Sequence, residues 1–546
     1  MGDRRPRRWL LAVAAGCLVA GARTAAPATD DNDDESADTG VDLPLPPVPA
    51  DPAEREKWLA SACDAAVAAQ PALAPADVGA IVLDVASGRV LWSHDPDHGL
   101  SLASVTKVVT TAAALHGIGP GFRWRTSVLG DRFDPHTGVV AGDLVLRPRG
   151  DPTLTMDGLT DLARQLWWKG VRKVDGDLVI DGSYFADDGP PPHFDDQPNE
   201  RAGYRAPVAS SSLERNAVTV VVVADRAGLG NATVRLDPPG GDYVRLAESA
   251  VVTVADGRSR IRVDTEVEDD HLTLRVSGQL NADDGVYFVR RRVDAPDRLL
   301  AAGFRAALAD AGIKLRGSKL GHGPPPPTAS LLAEHASVTP GEVVRELDKT
   351  SDNFRAETVL KTLGAEELAA GTTAPASAPT GATGAPPADH GDAAPAPGSA
   401  TWADGQRAVA RYLTDVVGLA PASFRIENGS GLYDATEISA HAVAQVLATA
   451  YRDLRVGPEM ISALSIAGLD GTLRKRLAGP SVRGRVRGKT GTLAAVSSLA
   501  GYAGVDTGHP VAFAVIVNKL PAGQRPAART LQDAIAAIAV RAAAGP

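Results

Sequence analysis

Three short motifs with reactive side chains occur in a fixed order along this 546-residue chain. They are Ser-Val-Thr-Lys at 104–107, Ser-Asp-Asn at 351–353 and Lys-Thr-Gly at 489–491. Any one of them is a weak signal by itself, because a pattern this short can arise by chance. The ordered set supplies a serine nucleophile, a lysine base and a second cation, which indicates acyl transfer through a serine.

The first motif opens a predicted helix that runs from Ser104 to His116. Ser104 and Lys107 are three residues apart, so both side chains lie on one face of that helix. A serine hydroxyl attacks only after a base takes its proton. A buried lysine near another cation can lose its own proton at neutral pH and act as that base. The alternative is a helix-capping serine with a solvated lysine.

The second motif places a hydroxyl and an amide two positions apart, at Ser351 and Asn353, just before a helical stretch. From a turn, both groups can project into a cleft. Helix capping is the alternative reading, because Ser, Asp and Asn are all favoured at helix N-termini.

The third motif lies on a predicted strand and continues into a further threonine. Lys489, Thr490 and Thr492 offer one cation and two hydroxyls, which suit recognition of a substrate carboxylate. Gly491 removes a side chain where another backbone or the substrate must come close. A hairpin edge with a solvated lysine is the alternative.

Strand and helix patterns surround these motifs and predict an α/β body. A hairpin is expected from strands at 79–85 and 90–94, and a helix is expected from about Pro52 to Ala69. Helices are predicted at 339–368, 401–418, 437–454, 457–466 and 527–543, and strands at 483–487, 497–505 and 510–518. Strands near both ends with helices between them indicate one catalytic domain, formed by residues 54–121 and 335–546.

Two stretches interrupt that pattern. Residues 122–334 contain many short strands with Gly and Pro turns and close with a helix near 296–311, which predicts an insertion of one or two small β-rich domains. Residues 370–398 are rich in Ala, Thr, Pro and Gly, which predicts a disordered low-complexity loop within the catalytic domain.

The N-terminus reads as an export signal at residues 1–26, with four arginines before a short apolar run. An uncleaved anchor and lipidation at Cys17 remain alternatives. Residues 27–53 are Asp- and Pro-rich and predict a disordered tether. Removing residues 1–26 takes away five Arg and one Asp, so the formal net charge falls from −10 to −14, which argues against general nucleic-acid binding. Cys63 is then a lone cysteine and is expected in the core.

The three motifs together resemble those of low-molecular-mass penicillin-binding proteins, specifically the D-alanyl-D-alanine carboxypeptidases/endopeptidases of the S13 peptidase family. Lys107 and Ser351 are 244 positions apart. Such a gap is typical of this family, which inserts β-rich domains there, and not of class A β-lactamases. Further matching segments extend the resemblance over nearly all of the chain from about residue 54: 150–154, 216–218, 429–432 and 467–473.

The resemblance implies a β-lactamase/transpeptidase-like α/β fold, an antiparallel sheet with helices on both sides, interrupted by the β-rich insertion. It also implies roles for the first two motifs. Ser104 attacks the penultimate D-Ala carbonyl and Lys107 accepts the proton of Ser104. Ser351 relays a proton to the leaving amine, and Asn353 orients Lys107 and the substrate amide.

For the third motif the resemblance implies a carboxylate-binding strand. Lys489 keeps Lys107 neutral, while Thr490 and Thr492 bind the terminal carboxylate. The backbone N–H groups of Ser104 and Thr492 form the oxyanion hole. No metal and no organic cofactor are implied, the substrates are peptidoglycan peptides ending in D-Ala-D-Ala, and β-lactams are covalent inhibitors.

The sequence departs from the family at the side-chain pocket. Family members often carry an Arg soon after Gly-Ser-Gly-Leu, whereas Tyr433 and Asp434 follow Leu432 here. Asn428 stands where Asp is usual. Asp187 or Asp188 could bind an amine instead, although solvated loop acids are the plainer reading.

The sequence thus predicts an exported, periplasmic or extracytoplasmic DD-peptidase. The competing hypotheses are a β-lactamase, for which no placed Glu motif is found, and a non-catalytic cell-wall binding protein. A membrane contact is expected only if the N-terminal segment is retained or lipidated. The choice between carboxypeptidase and endopeptidase action stays open.

Overall fold

The structure, a computed structural model, describes residues 47–194, 200–268, 270–373 and 399–544. The predicted signal at 1–26, most of the predicted tether and residues 374–398 of the predicted loop lie outside the described residues. The first residues of that loop, 370–373, are helical, so its predicted start was too early.

The helices mostly match the predicted ones. One was missed, at 156–168 inside the β-rich stretch, although Leu159, Leu162, Ala163 and Leu166 have helical spacing and are buried. The α-helices of the described residues are α1 (Pro52–Ala68), α2 (Thr106–Gly117), α3 (Met156–Trp168), α4 (Pro296–Asp310), α5 (Pro340–Thr350), α6 (Asn353–Thr373), α7 (Trp402–Arg411), α8 (Ala440–Arg452), α9 (Gly457–Ala463) and α10 (Arg525–Ala544).

Strands occur at both ends of the described chain and, in greater number, between α2 and α5. They are β1 (Asp77–Asp84), β2 (Val90–His94), β3 (Gly99–Ser101), β4 (Arg125–Asp131), β5 (Phe133–Asp134), β6 (Val139–Val140), β7 (Leu144–Arg147), β8 (Lys173–Val174), β9 (Leu178–Ile180), β10 (Ala217–Val223), β11 (Thr233–Asp237), β12 (Val244–Leu246), β13 (Ala250–Val254), β14 (Arg260–Val267), β15 (Leu272–Asn281), β16 (Val286–Arg292), β17 (Lys314–Leu315), β18 (Leu320–His322), β19 (Ala329–Ala336), β20 (Phe424–Arg425), β21 (Glu437–Ser439), β22 (Ser465–Ile466), β23 (Val486–Leu493), β24 (Val496–Ala503) and β25 (Val511–Asn518).

A six-stranded sheet in the order β2-β1-β25-β24-β23-β22 joins the two ends of the chain. All five strand pairs are antiparallel. The predicted hairpin at 79–94 is confirmed as β1 and β2.

Helices cover both faces of this sheet, because alternate residues of each strand point to opposite sides. Ile81 and Leu83 join one core with α2 and α8, whereas Ala80 and Val82 join another with α1 and α10. Cys63 is fully buried in the second core, which confirms its predicted place.

The predicted single helix at 339–368 was wrong in one respect. It begins as expected, with Thr339 and Glu342 forming a capping box ahead of Pro340. It then stops at Thr350, and Ser351 takes the left-handed conformation (φ 59°, ψ 36°) before α6 starts at Asn353. The interruption puts Ser351 on a turn between two helices.

The C-terminal helices differ from prediction at their ends. The predicted helix at 401–418 is α7 followed by a π-helical turn over Tyr412–Val417. The predicted helix at 457–466 ends at Ala463, and the next residues form β22 at the edge of the main sheet.

Residues between β4 and β19 form further sheets with a hydrophobic core of their own, which includes Val128, Leu146, Leu162, Val220 and Phe304. β4 and β19 pair antiparallel, with Arg125 opposite Ala336. The chain therefore enters and leaves this β-rich stretch through two neighbouring strands. Among the described residues, no helix combines the length and the apolar character that crossing a membrane requires.

Candidate active site

Ser104 lies in a single 3-10 turn, Ala103–Val105, directly before α2, so it stands at the start of the helix as predicted. Lys107 follows in the first turn of α2 and is fully buried. Its Nζ lies 3.0 Å from Ser104 Oγ. Ala103 has a φ of 47°, a left-handed value that costs a non-glycine residue about 1–2 kcal/mol. Strained backbone is concentrated at functional sites, so a strained residue directly before Ser104 supports a functional role for this turn.

The turn between α5 and α6 carries the second motif. Asn353 is buried, and its Oδ1 accepts a 2.7 Å hydrogen bond from Lys107 Nζ. Ser351 occupies the left-handed residue that ends α5. Both side chains contact other motifs, whereas the helix cap that the alternative predicted comes from Asp352, whose Oδ1 accepts the Arg355 N–H at 3.0 Å.

Strand β23 carries the third motif, as the sequence predicted. Lys489 is fully buried, and its Nζ donates a 2.9 Å hydrogen bond to Ser351 Oγ and a 2.8 Å bond to the Thr490 carbonyl. Thr490 Oγ1 donates to Thr472 Oγ1 at 2.8 Å. Thr492 lies in the same strand, opposite Ser497 of β24.

Gly491 allows β23 to pass against the turn that holds Ser104. A Cβ at this position would lie 3.0 Å from Ser104 N, 2.6 Å from the Leu102 carbonyl and 2.3 Å from Ser498 Oγ. Any side chain would push the strand away from Ser104, so the close approach expected from the sequence is present.

Two hydrogen bonds thus connect the three motifs: Lys107 bonds to Asn353, and Lys489 bonds to Ser351. Each lysine comes from one motif and meets a polar group of the middle motif. Neither lysine has exposed surface, so both amines contact the other motifs from inside the protein. This arrangement places a lysine amine within hydrogen-bond distance of the Ser104 hydroxyl, as proton transfer between the two groups requires.

The sequence did not predict the buried carboxylate of Glu357, which binds the same segment as Lys107. Lys107 Nζ also donates to the Ser430 carbonyl at 2.8 Å. Glu357 on α6 accepts the Gly429 N–H at 2.9 Å and the Ser430 N–H at 2.8 Å. Burial raises the pKa of Glu357, against the lowering effect of these bonds and of Lys107. The Gly-Ser-Gly-Leu motif at 429–432 contributed to the family resemblance, but it did not predict that this segment binds both Lys107 and Glu357.

A second missed carboxylate lies one turn before Ser351. Asp348 is fully buried on α5, and its Oδ2 accepts a 3.0 Å bond from Thr111, one turn after Lys107 on α2. Burial raises the pKa of Asp348 to about 7, although Lys489, Thr111 and Lys107 all lower it.

The family's arginine position is filled differently, as the sequence suggested. Tyr433 has a φ of 64°, and its ring stacks edge-on against Phe194 at 5.1 Å between centroids. Buried Arg205 lies over both rings, 5.1 Å from the Tyr433 centroid and 5.7 Å from the Phe194 centroid. An arginine does reach this region, but from a different part of the chain.

Two other departures have structural roles. Asn428 is fully buried; its Oδ1 accepts the Gly431 N–H and its Nδ2 donates to the Leu432 carbonyl, a bond that an ionised Asp could not donate. Asp188 pairs with Lys361 at 2.6 Å and accepts the Trp402 N–H at 2.7 Å. These contacts give Asp188 a structural role, and binding of a substrate amine by Asp187 or Asp188 stays a prediction.

Comparison with solved structures shows which fold the chain has. The fold matches the crystal structure of penicillin binding protein 4 (dacB) from Haemophilus influenzae, with a TM-score of 0.67 at 21% identity, over 86% of this chain and 98% of that chain. A second crystal structure of that protein, complexed with a β-lactam, gives a TM-score of 0.63 at 22% identity over 87% and 97%. The expected fold class, an α/β domain with an antiparallel sheet, helices on both sides of it and β-rich additions, is confirmed.

Sequence relatives narrow the class. A D-alanyl-D-alanine carboxypeptidase of Actinomadura sp. is 31% identical over 486 residues, 86% of this chain and 82% of that one. The carboxypeptidase DacB of Mycolicibacterium smegmatis is 27% identical over 98% of both chains. The D-Ala-D-Ala carboxypeptidase 3 (S13) family model matches residues 59–380 and 393–542. This chain belongs to that family, which confirms the resemblance drawn from the three motifs.

Proposed function

We propose that the protein is a serine-type DD-carboxypeptidase that also acts as a DD-endopeptidase and forms an acyl-enzyme on Ser104. The observation that carries the proposal is the position of Lys107, whose buried Nζ lies 3.0 Å from Ser104 Oγ. Family membership agrees with it.

In the proposed acylation step, Ser104 Oγ attacks the penultimate D-Ala carbonyl while uncharged Lys107 takes its proton. The C–N bond then breaks, and the terminal D-Ala leaves as an amine after receiving a proton through Ser351. Asn353 holds the Lys107 amine in place, since its Oδ1 lies 2.7 Å from Nζ. Water later cleaves the Ser104 ester and releases the shortened peptide.

The strand β23 is proposed to hold the substrate. Lys489 supplies the positive charge that favours an uncharged Lys107 and attracts the substrate carboxylate, which Thr490 and Thr492 bind. The N–H groups of Ser104 and Thr492 would stabilise the oxyanion, an effect that is typically worth about 3–4 kcal/mol per donor. Gly491 supports this role, because it lets the strand approach Ser104.

The proposed substrates are peptidoglycan stem peptides ending in D-Ala-D-Ala, and β-lactams are proposed covalent inhibitors that acylate the same serine. We propose that residues 54–121 and 335–546 form the catalytic domain around the inserted β-rich stretch at 122–334. Export by the N-terminal segment would bring the enzyme to the cell wall, outside the cytoplasm.

Acylation by a labelled penicillin, followed by intact mass measurement, tests the proposal. We expect a long-lived adduct on the wild-type protein, none on Ser104→Ala, and an unchanged adduct on Ser61→Ala, which alters an exposed serine of α1. Rapid turnover of the penicillin would favour the β-lactamase, and no adduct would favour the non-catalytic binding protein.

A second assay separates the two peptidase activities. D-Ala release from a D-Ala-D-Ala peptide measures carboxypeptidase action, and cleavage of a cross-linked dimer measures endopeptidase action. We expect both activities to be lost together in Ser104→Ala, because both would pass through the same acyl-enzyme.

A further inference from the structure

The segment Glu214–Asn216, just before β10, has an unusual backbone. All three residues have positive φ values, 49°, 58° and 48°, and none is glycine. Each left-handed residue is unfavourable for an L-amino acid, so a run of three persists only where surrounding contacts enforce it. Strained backbone is concentrated at functional sites, so the contacts that this segment makes indicate its role.

Buried contacts on both sides of the run enforce it. Glu214 N donates to the Leu154 carbonyl at 2.9 Å, and Glu214 Oε1 accepts the Met156 N–H at 3.0 Å. Asn216 is fully buried, and its Nδ2 donates to the Pro207 carbonyl at 2.9 Å. The central residue, Arg215, is thereby held in a fixed direction by the β-rich segment.

Arg215 is directed at the second motif of the active site. Its Nη1 donates to Asp352 Oδ2 at 2.7 Å. Asp352 is the residue between Ser351 and Asn353, and only 8% of its side chain is exposed. The contact therefore joins two strained backbone segments, one in the β-rich stretch and one in the catalytic turn, across 137 positions of sequence.

Asp352 has a second partner, but a local one. Arg355 donates to it through Nη1 at 2.8 Å and through its backbone N–H at 3.0 Å. Arg355 lies on the first turn of α6 and moves with Asp352, so it cannot fix the turn relative to the rest of the molecule. Burial raises the pKa of the Asp352 carboxyl, but Arg355 and Arg215 outweigh it and hold that pKa well below its usual range.

We propose that Arg215 is a positioning residue, which acts on the reaction by holding Asp352 and the turn around it. This turn aims Ser351 at Lys489 and Asn353 at Lys107. The inference rests on the proposed function, since it assigns a role in that same reaction. It makes the β-rich segment a part of the catalytic apparatus, and not only an attachment to it.

The rate of acylation by a labelled penicillin tests the inference, measured well below the unfolding temperature of every variant. We expect Arg215→Ala to lower the second-order rate by about 10- to 100-fold, because an error of about 1 Å in positioning can cost about 100-fold. Arg215→Lys keeps a cation and should recover part of the rate. Arg201→Ala is the matched control, because the salt-bridge partner of Arg201 is Asp294, in the same segment, and not a residue of the three motifs.

A double variant tests whether Arg215 acts through Asp352. Once Asp352→Asn has removed the carboxylate, adding Arg215→Ala should change the rate by less than about twofold, since contacting residues are non-additive. Hydrogen exchange of the peptide covering residues 347–357 should accelerate in Arg215→Ala and stay unchanged in Arg201→Ala.

Three results would overturn the inference. An Arg215→Ala protein that is acylated at the wild-type rate, even with a lowered melting temperature, would reduce Arg215 to a packing role. Equal rate losses in the Asp352→Asn background and in the wild type would show that Arg215 acts elsewhere. A wild-type protein that is not acylated at all would overturn the proposed function, and this inference with it.

Discussion

Asp348→Asn should stabilise the protein at neutral and alkaline pH. Asp348 is fully buried one helical turn before Ser351, and within the described residues its Oδ1 has no hydrogen-bond partner. The substitution keeps the shape of the side chain and an oxygen that can accept the Thr111 bond, but it removes the charge. Its effect therefore isolates the cost of ionising this carboxyl in the interior.

The direction in which stability changes with pH follows from the raised pKa of Asp348. Burial raises the pKa of Asp348 to about 7, whereas an unfolded Asp titrates near about 3.9. Above pH 4 the unfolded chain loses this proton before the folded protein does, so stability falls as pH rises and levels off above pH 7. Three pKa units correspond to about 4 kcal/mol. Asn cannot titrate, so the variant escapes that loss.

Thermal unfolding of both proteins between pH 4 and pH 8 measures the effect. The two melting temperatures should be similar at pH 4 and should separate as pH rises, with Asp348→Asn the more stable at pH 8. Asp310→Asn, at the exposed end of α4, should show no such separation. If Asp348→Asn instead became progressively less stable than the wild type toward pH 8, ionised Asp348 would be a net stabilising partner of the lysines and the argument from burial would be refuted.

Two further substitutions test the packing around the motifs. Gly491→Ala should lower stability by about 1–3 kcal/mol and reduce penicillin acylation, because its Cβ would meet the Leu102 carbonyl at 2.6 Å. Gly99→Ala is the control and should do neither, because there is open space around Gly99. Equal melting temperatures and acylation rates for the two variants would contradict the close approach at Gly491. Glu357→Gln should lower the free energy of unfolding by about 1–3 kcal/mol and slow acylation, because one of two buried backbone N–H groups loses its acceptor. Thermal unfolding and acylation followed by mass measurement check this prediction. Wild-type values in both measurements would exclude a role for Glu357 in supporting Lys107.

Local spacing made much of the site predictable. Ser104 and Lys107 fall on one face of a helix because residues three apart always do, and Lys489 follows a run with strand character. The hairpin of β1 and β2 and most helices were predicted for the same reason. These features depend on residues near one another in sequence, where propensity and periodicity act.

The break at Ser351 was only partly predictable, because the second motif contains residues that favour a helix start while the helical pattern runs on through them. Residues 339–368 contain a continuous helical pattern, and Thr350 and Ser351 are neither glycine nor proline. The left-handed turn is enforced from outside, by contacts of Lys489 with Ser351 and of Arg215 with Asp352. Helical periodicity favoured one helix, whereas the capping bond from Arg355 N–H to Asp352 Oδ1 and the tertiary contacts together favour two.

The sequence by itself determined the family, the reactive groups and the elements that carry them, because each motif is short and its chemistry follows from residue type. Only the tertiary structure decided which groups meet: Glu357 beneath Ser430, Asp348 against Thr111, and Arg215 against Asp352. Such pairs join positions 73 to 237 residues apart, and a contact at that distance leaves no periodic trace in the chain. Packing of the sheet, the helices and the β-rich segment brings them together.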